Sequence, residues 1–136
     1  MNRVTEEQAS PEGDATEVHP NLALLRRLFE LITEEAADTE GLLAEDFVWH
    51  YSNPHLPELE GDYTGLEGLR AFFAKLGAKM QGTFRLGPPK VLYVGEELLA
   101  FHAHHVMKKD GEPLEADAVI VFRIVQGRIA EAWDII

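Results

Sequence analysis

The sequence predicts an α+β fold, with helices segregated to one face of a curved, mostly antiparallel sheet. Three observations carry this. Apolar residues recur at helical spacing in two stretches before residue 81. The last third, from Leu98 to Ile136, alternates with period two. Asp110-Gly111 and Gln126-Gly127 divide that third into three strands, and such pairs suit tight turns because the central residues must reach φ > 0. A long helix lying across such a sheet leaves a cone, and the open end of a cone is a natural ligand cavity.

The elements follow in order. Residues 1–18 carry five acidic residues, one Arg and almost no large apolar side chain, too little to offset ordering entropy. They are expected to form a disordered acidic tail, with one domain over 19–136. Pro20 suits the first turn of a helix in which Leu24, Leu25, Leu28, Leu31 and Ile32 form a buried stripe. Asp38 is placed to cap a second, short helix containing Leu42 and Leu43. Phe47 to Tyr51 reads as a short strand, and residues 52–64, with their Pro and Gly, as a loop. Thr64 and Glu67 make a capping box for a third helix with an apolar face of Leu66, Leu69, Phe72, Phe73, Leu76 and Met80. Gly77 and Gly82 mark its end. Residues 83–86 and 91–94 form an edge strand, bulged or interrupted at Gly87-Pro88-Pro89.

The hairpin around Asp110-Gly111 can be laid out by residue. A two-residue loop pairs Lys109 with Glu112, His105 with Ala116, Ala103 with Ala118 and Phe101 with Ile120. One face then carries Phe101, Ala103, His105, Met107, Leu114, Ala116, Ala118, Ile120 and Phe122, apolar except for His105. The other carries His102, His104, Glu115, Asp117 and Arg123 among valines, and suits a half-solvated surface or a subunit interface.

Composition narrows the function classes. The 136 residues suit one domain with its own core. There is no cysteine, hence no disulfide, thiol nucleophile or thiolate metal site. No apolar run approaches the ~18 residues of a membrane span, and the N-terminus lacks a signal-peptide core, so the expectation is cytoplasmic. A net charge of -12 argues against nucleic acid and anionic membranes as partners.

AEDFVWH at 44–50, GDYTGLEGLRAFFAKL at 61–76, GTFRL at 82–86 and GRIAEAW at 127–133 resemble the SnoaL-like branch of the nuclear transport factor 2-like superfamily. The resemblance implies a cone-shaped α+β barrel, a sheet wrapped around a long helix, and a homodimer packed through the outer sheet face. Within the superfamily, 110–123 is similar to the matching strand pair of ketosteroid isomerase. That similarity puts Ile120 at the isomerase's oxyanion-hole Asp, Tyr51 at its general-base Asp, and Glu30 or Phe29 at its oxyanion-hole Tyr. All three differ, and the reaction needs that set, so steroid isomerisation is excluded.

His105 is the first catalytic candidate, an imidazole on an apolar face that can act as general base or acid. A core histidine bonded to a neighbour is the plainer reading. Asp134 is the second. A three-residue loop at 125–127 turns it inward opposite Ala118, beside His105, which it would orient. A two-residue loop turns it outward and brings Trp133 inward. Trp49 and Tyr51 point inward with Phe47 in the isomerase register, with His50 outward; a one-residue slip exchanges His50 and Tyr51. Tyr63, Phe73, Phe101, Met107, Ile120 and Phe122 complete the expected ligand lining, and His55 and Tyr63 stand where a lid would close. His102, His104 and Asp117 are at metal-ligand spacing on the outer face, where a His104–Asp117 ion pair is the simpler reading, so no metal is assigned. The leading expectation is a pocket for a small apolar or cyclic ligand, with cofactor-free isomerase, cyclase or hydrolase chemistry if it is an enzyme. The second is a non-catalytic dimeric scaffold whose cone is plugged by Phe73, Phe101, Met107 and Phe122.

Overall fold

The computed structural model describes residues 19–33 and 39–136. Among them the elements run α1 (Leu22–Thr33), β1 (Leu43–Ser52), β2 (Gly61–Thr64), α2 (Gly65–Lys79), β3 (Arg85–Leu86), β4 (Lys90–Val94), β5 (Leu98–Lys109), β6 (Glu112–Val125) and β7 (Arg128–Ile135). The strands form one curled sheet in the order β2-β1-β7-β6-β5-β3, with β4 also pairing β5. The β1–β7 pair is parallel and the others antiparallel. The two helices cover the concave face, giving the cone-shaped α+β fold.

The β5–β6 hairpin has the expected register throughout, from Lys109–Glu112 to Phe101–Ile120 and beyond. Asp110 at φ 54° and Gly111 at φ 82° form the turn. Phe101, Ala103, His105, Met107, Ala118, Ile120 and Phe122 are buried on the concave side. The interrupted edge strand is also present: β3 and β4 both pair with β5 and flank Gly87-Pro88-Pro89.

Four local expectations change. Leu42 lies in a turn and Leu43 opens β1, so neither is helical; Asp38 lies outside the described residues. The edge of β7 takes up this stretch: the Ile129 N–H donates to Leu42 O at 2.9 Å and Leu43 pairs with Ile129. Backbone groups buried there need partners, and the sheet supplies them. Gly61–Thr64 is a strand on β1 rather than loop, although Gly and Asp are poor strand formers. Thr64 precedes α2 without capping it through its side chain, and Gly65 follows it at φ 71°. Gly77 lies within α2, and the helix ends instead at Met80 and left-handed Gln81, with the Gly82 N–H donating to Gly77 O at 2.9 Å.

Helix α2 packs so closely on β2 that a Cβ at Gly68 would lie 2.9 Å from the carbonyl carbon of Tyr63, whereas one at Gly77 meets nothing within 4 Å. Gly68→Ala is therefore expected to lose about 1–3 kcal/mol of unfolding free energy by overpacking. Gly77→Ala should gain roughly 0.5–1 kcal/mol from helix propensity. Urea unfolding of both variants checks the packing; effects of the same sign would contradict it.

Candidate functional site

Beneath the concave face, α1, α2 and the strands close around a cavity. Its enclosed free volume is about 30 Å³, and the cavity opens to solvent. The enclosed part suffices for one or two waters. The walls are mostly apolar, with Leu28, Phe29 and Ile32 from α1 and Phe73 and Leu76 from α2 facing Phe101 and Ile120 on the sheet. Trp49, Tyr51, His105 and Asp134 bring polar atoms into this lining.

Asp134 reaches the cavity by an unexpected route. The last turn is a two-residue loop, Gln126-Gly127, with Val125 paired to Arg128 and Ile124 to Ile129. Alone, that would turn Asp134 outward. The register then slips by one, so Arg123 pairs with Glu131 and Ala130 is an extra residue. Such a bulge inverts the facing of everything beyond it. Ile129 and Ala130 are consecutive and both buried, and Ala132 and Asp134 follow inward. Asp134 thus pairs with Ile120, not Ala118, and on its other side with Tyr51. It lies between the two strand positions where the isomerase resemblance would place carboxylates.

The environment fixes the charge states. Asp134 is only 6% exposed, its Oδ1 has no hydrogen-bond partner, and burial pushes its pKa up to about 7. His105, 5% exposed, moves the other way, to about 4, through burial and then the neighbouring His104 and His102. Its Nδ1 has no partner, and its ring lies against Phe84 at 5.1 Å. Trp49 Nε1 is likewise buried without a partner, between the rings of Phe72 and Phe73. Tyr51 is raised to about 12, chiefly by burial. Its hydroxyl accepts from Asn53 Nδ2 at 2.8 Å, which leaves the phenolic proton free to donate.

Sequence reasoning missed Asn53. Its side chain is buried, and its Oδ1 accepts from the His55 N–H at 2.8 Å while its own N–H donates to Glu60 at 2.8 Å. The available signal was Asn-Pro after a strand, a frequent start for such a turn. Phe84 was also missed as lining; the broken β3–β4 stretch hides its alternation with Leu86.

Other expected residues lie elsewhere. Asp134 makes no bond to His105: two strands and four residues separate them, about 16 Å between Cα atoms in a flat sheet. Curvature brings both to one cavity without contact, so the expected orienting pair does not form. His105 is neutral at pH 7 and a weak base there, whereas titration near neutrality was expected. Tyr63, Met107 and Phe122 are not on the cavity. Tyr63 donates to Leu59 O at 2.6 Å, Phe122 packs edge-on to Phe101 at 5.5 Å, and Met107 is buried one inward position beyond His105. His55 is exposed on its turn.

The outer face holds the remaining histidines of the sheet. His50 bonds Asp62 at 2.7 Å and Glu131 at 2.6 Å and stacks on Trp133. His102 and His104 share Asp117, and His104 also bonds Glu115 at 2.7 Å. Among the described residues, no group of three or more His, Asp or Glu side chains is arranged to hold a metal ion. No helix of the described residues is long and apolar enough to cross a membrane.

The sequence profile of the SnoaL-like domain matches residues 25–132. The chain belongs to the SnoaL-like family. No curated protein matches it. Solved structures share the fold at low identity. Bal32a, from a soil-derived mobile gene cassette, is 23% identical over 84% of this chain and 86% of its own, with a TM-score of 0.71. TerC, co-crystallised with polyporic acid, is 17% identical over 85% and 90%, with a TM-score of 0.69. IdmH from Streptomyces antibioticus, described as a candidate polyketide cyclase, is 18% identical over 85% and 91%, with a TM-score of 0.64. This SnoaL-like chain therefore has the nuclear transport factor 2-like fold, with its buried carboxyl on β7.

The raised Asp134 has a signed consequence for stability. An unfolded Asp gives up its proton near pH 3.9 and the folded one near pH 7, so between these values the folded chain binds more protons. Burying Asp134 costs little below pH 4, and the cost grows as pH rises to about 7. Asp134→Asn is expected to add roughly 2 kcal/mol or more to the unfolding free energy at pH 8 and little at pH 4. Urea titrations at both pH values measure this; a pH-independent difference would contradict the buried, protonated carboxyl.

Proposed function

We propose that this SnoaL-like domain binds a compact, mostly apolar, cyclic small molecule and moves a proton on it without a cofactor, in an isomerase-, cyclase- or hydrolase-type reaction. The observation that carries this is that three buried, unpartnered polar atoms, Trp49 Nε1, His105 Nδ1 and Asp134 Oδ1, belong to side chains that line one apolar cavity. Such atoms cost free energy unless a partner arrives, and a ligand oxygen or hydroxyl supplies one. Asp134, poised near pH 7, takes or returns the proton. The indole N–H of Trp49 and the phenol of Tyr51 donate to the oxygen on which negative charge develops. Neutral His105 holds a second polar group of the ligand. The description of IdmH as a candidate polyketide cyclase and the co-crystallisation of TerC with polyporic acid accord with such a pocket.

A second reading rests on the small enclosed volume of about 30 Å³, well below the ~300 Å³ of ordinary ligand sites. In it the cone is a non-catalytic scaffold filled by Phe73 and Phe101. In both readings the outer face is the homodimer surface: Val106, Val119 and Ile135 are exposed there, beside half-buried Trp133.

Native mass spectrometry of the freshly purified full chain separates the two. The pocket reading expects a retained small organic mass that disappears in Asp134→Leu, a variant that stays apolar and folded. For a substrate identified from that mass, Asp134→Asn should lower kcat by about 10²- to 10⁴-fold. A clean mass together with no heat on titration of 6-hydroxy-2-naphthamide would support the filled scaffold and contradict the pocket.

A further inference from the structure

A second space adjoins the cavity. Between α1 and α2 lies a groove lined by Leu31, Ile32, Leu69, Arg70 and Phe73, with a free volume of about 220 Å³. Ile32 and Phe73 line both spaces, so these two side chains are the partition between them. Neither space alone reaches the ~300 Å³ low end of ligand sites, but joined they approach it. Phe73 is only half-buried, and one edge-on contact with Trp49, at 5.8 Å, links it to the polar part of the cavity.

Arg70 is the charged member of the groove lining. It is exposed, and no carboxylate among the described residues pairs with it. Some other cations are engaged, Arg123 with Glu131, Lys79 with Glu58 and Arg27 with the carbonyl of Glu40 at 2.6 Å, and Arg70 is distinguished by its place in the groove lining. In a chain of net charge -12, an anion approaching the helices is repelled unless a local cation offsets the field. An unpaired guanidinium over an apolar groove supplies that offset, with a planar fork suited to a carboxylate.

We infer that groove and cavity form one elongated site for an apolar ligand bearing a carboxylate. The apolar body passes between Ile32 and Phe73, its uncharged polar end meets Trp49 and Asp134, and its carboxylate pairs with Arg70 at the mouth. This assigns Arg70 a specificity role, and it rests on the pocket reading above.

Two probes of one shape, each with an uncharged hydroxyl at the far end, test it: 6-hydroxy-2-naphthoate and its neutral isostere 6-hydroxy-2-naphthamide, titrated calorimetrically into the full chain. The wild type is expected to bind the naphthoate about five-fold more tightly. Arg70→Gln should bring the naphthoate down to the level of the amide and leave the amide unchanged. The exposed position keeps the variant folded, and an unchanged Tm verifies that. Amide binding that is lost in Asp134→Leu, with equal naphthoate affinity in wild type and Arg70→Gln, would overturn the Arg70 assignment and leave the pocket standing. Failure of both probes to bind would overturn both.

Discussion

The site depends on one extra residue in β7. A two-residue turn followed by strict alternation would point Trp133 into the cone and Asp134 toward solvent. The bulge at Ala130 reverses this. It keeps the indole of Trp133 on the outer face, stacked against His50, and places a carboxyl in the lining of the apolar cavity. Bulges next to functional sites commonly serve to re-aim a side chain in this way. Here the cost of an interrupted ladder is small beside that of burying a carboxyl.

Solvent access then sorts identical side chains into opposite states. His104 and His105 are neighbours in β5. His104, outward, bonds Asp117 and Glu115, and these partners raise its pKa. His105, inward, has no such partner, and burial lowers it. Asp117, exposed, is held below its usual range by His104 and His102, while Asp134, inward, is pushed up to about 7. The outer pairs are ordinary surface ion pairs, which contribute little to stability. Inside, the low dielectric keeps His105 neutral at pH 7 and Asp134 near its titration midpoint, so the cavity presents hydrogen-bond donors and acceptors and at most one charge. An apolar ligand with one or two oxygens suits such a lining.

The hairpin was legible down to single pairs because Asp110-Gly111 fixes both turn and register, and with them the inward facing of His105. Alternation in β1 left two facings open, and the inward set of Phe47, Trp49 and Tyr51 is the one that the isomerase resemblance implied. The β7 register was not. Gln126-Gly127 fits two loop lengths, and a bulge at Ala130 leaves no mark in a run as bland as Ile-Ala-Glu-Ala. The inward Asp134 was one of the two expected outcomes, reached by a turn the chain does not make. The expected His105–Asp134 pair failed with that register, since the two-residue turn and the bulge each move Asp134 one residue farther along β6, together from Ala118 to Ile120. Short β2 was hidden by its composition, and Asn53 by a role that exists only once the 53–60 turn has closed on Tyr51.

Asp134 is buried, without a partner, and half protonated near pH 7. A ¹³C NMR titration of the side-chain carboxyl carbons, with Asp134→Asn identifying its signal, tests it most directly. One carboxyl is expected to titrate near pH 7, well separated from the surface carboxylates. A midpoint for Asp134 near the ordinary ~4 would contradict it. That result would place the carboxyl in water or in an ion pair, and with it the bulge and the pocket would have to be abandoned.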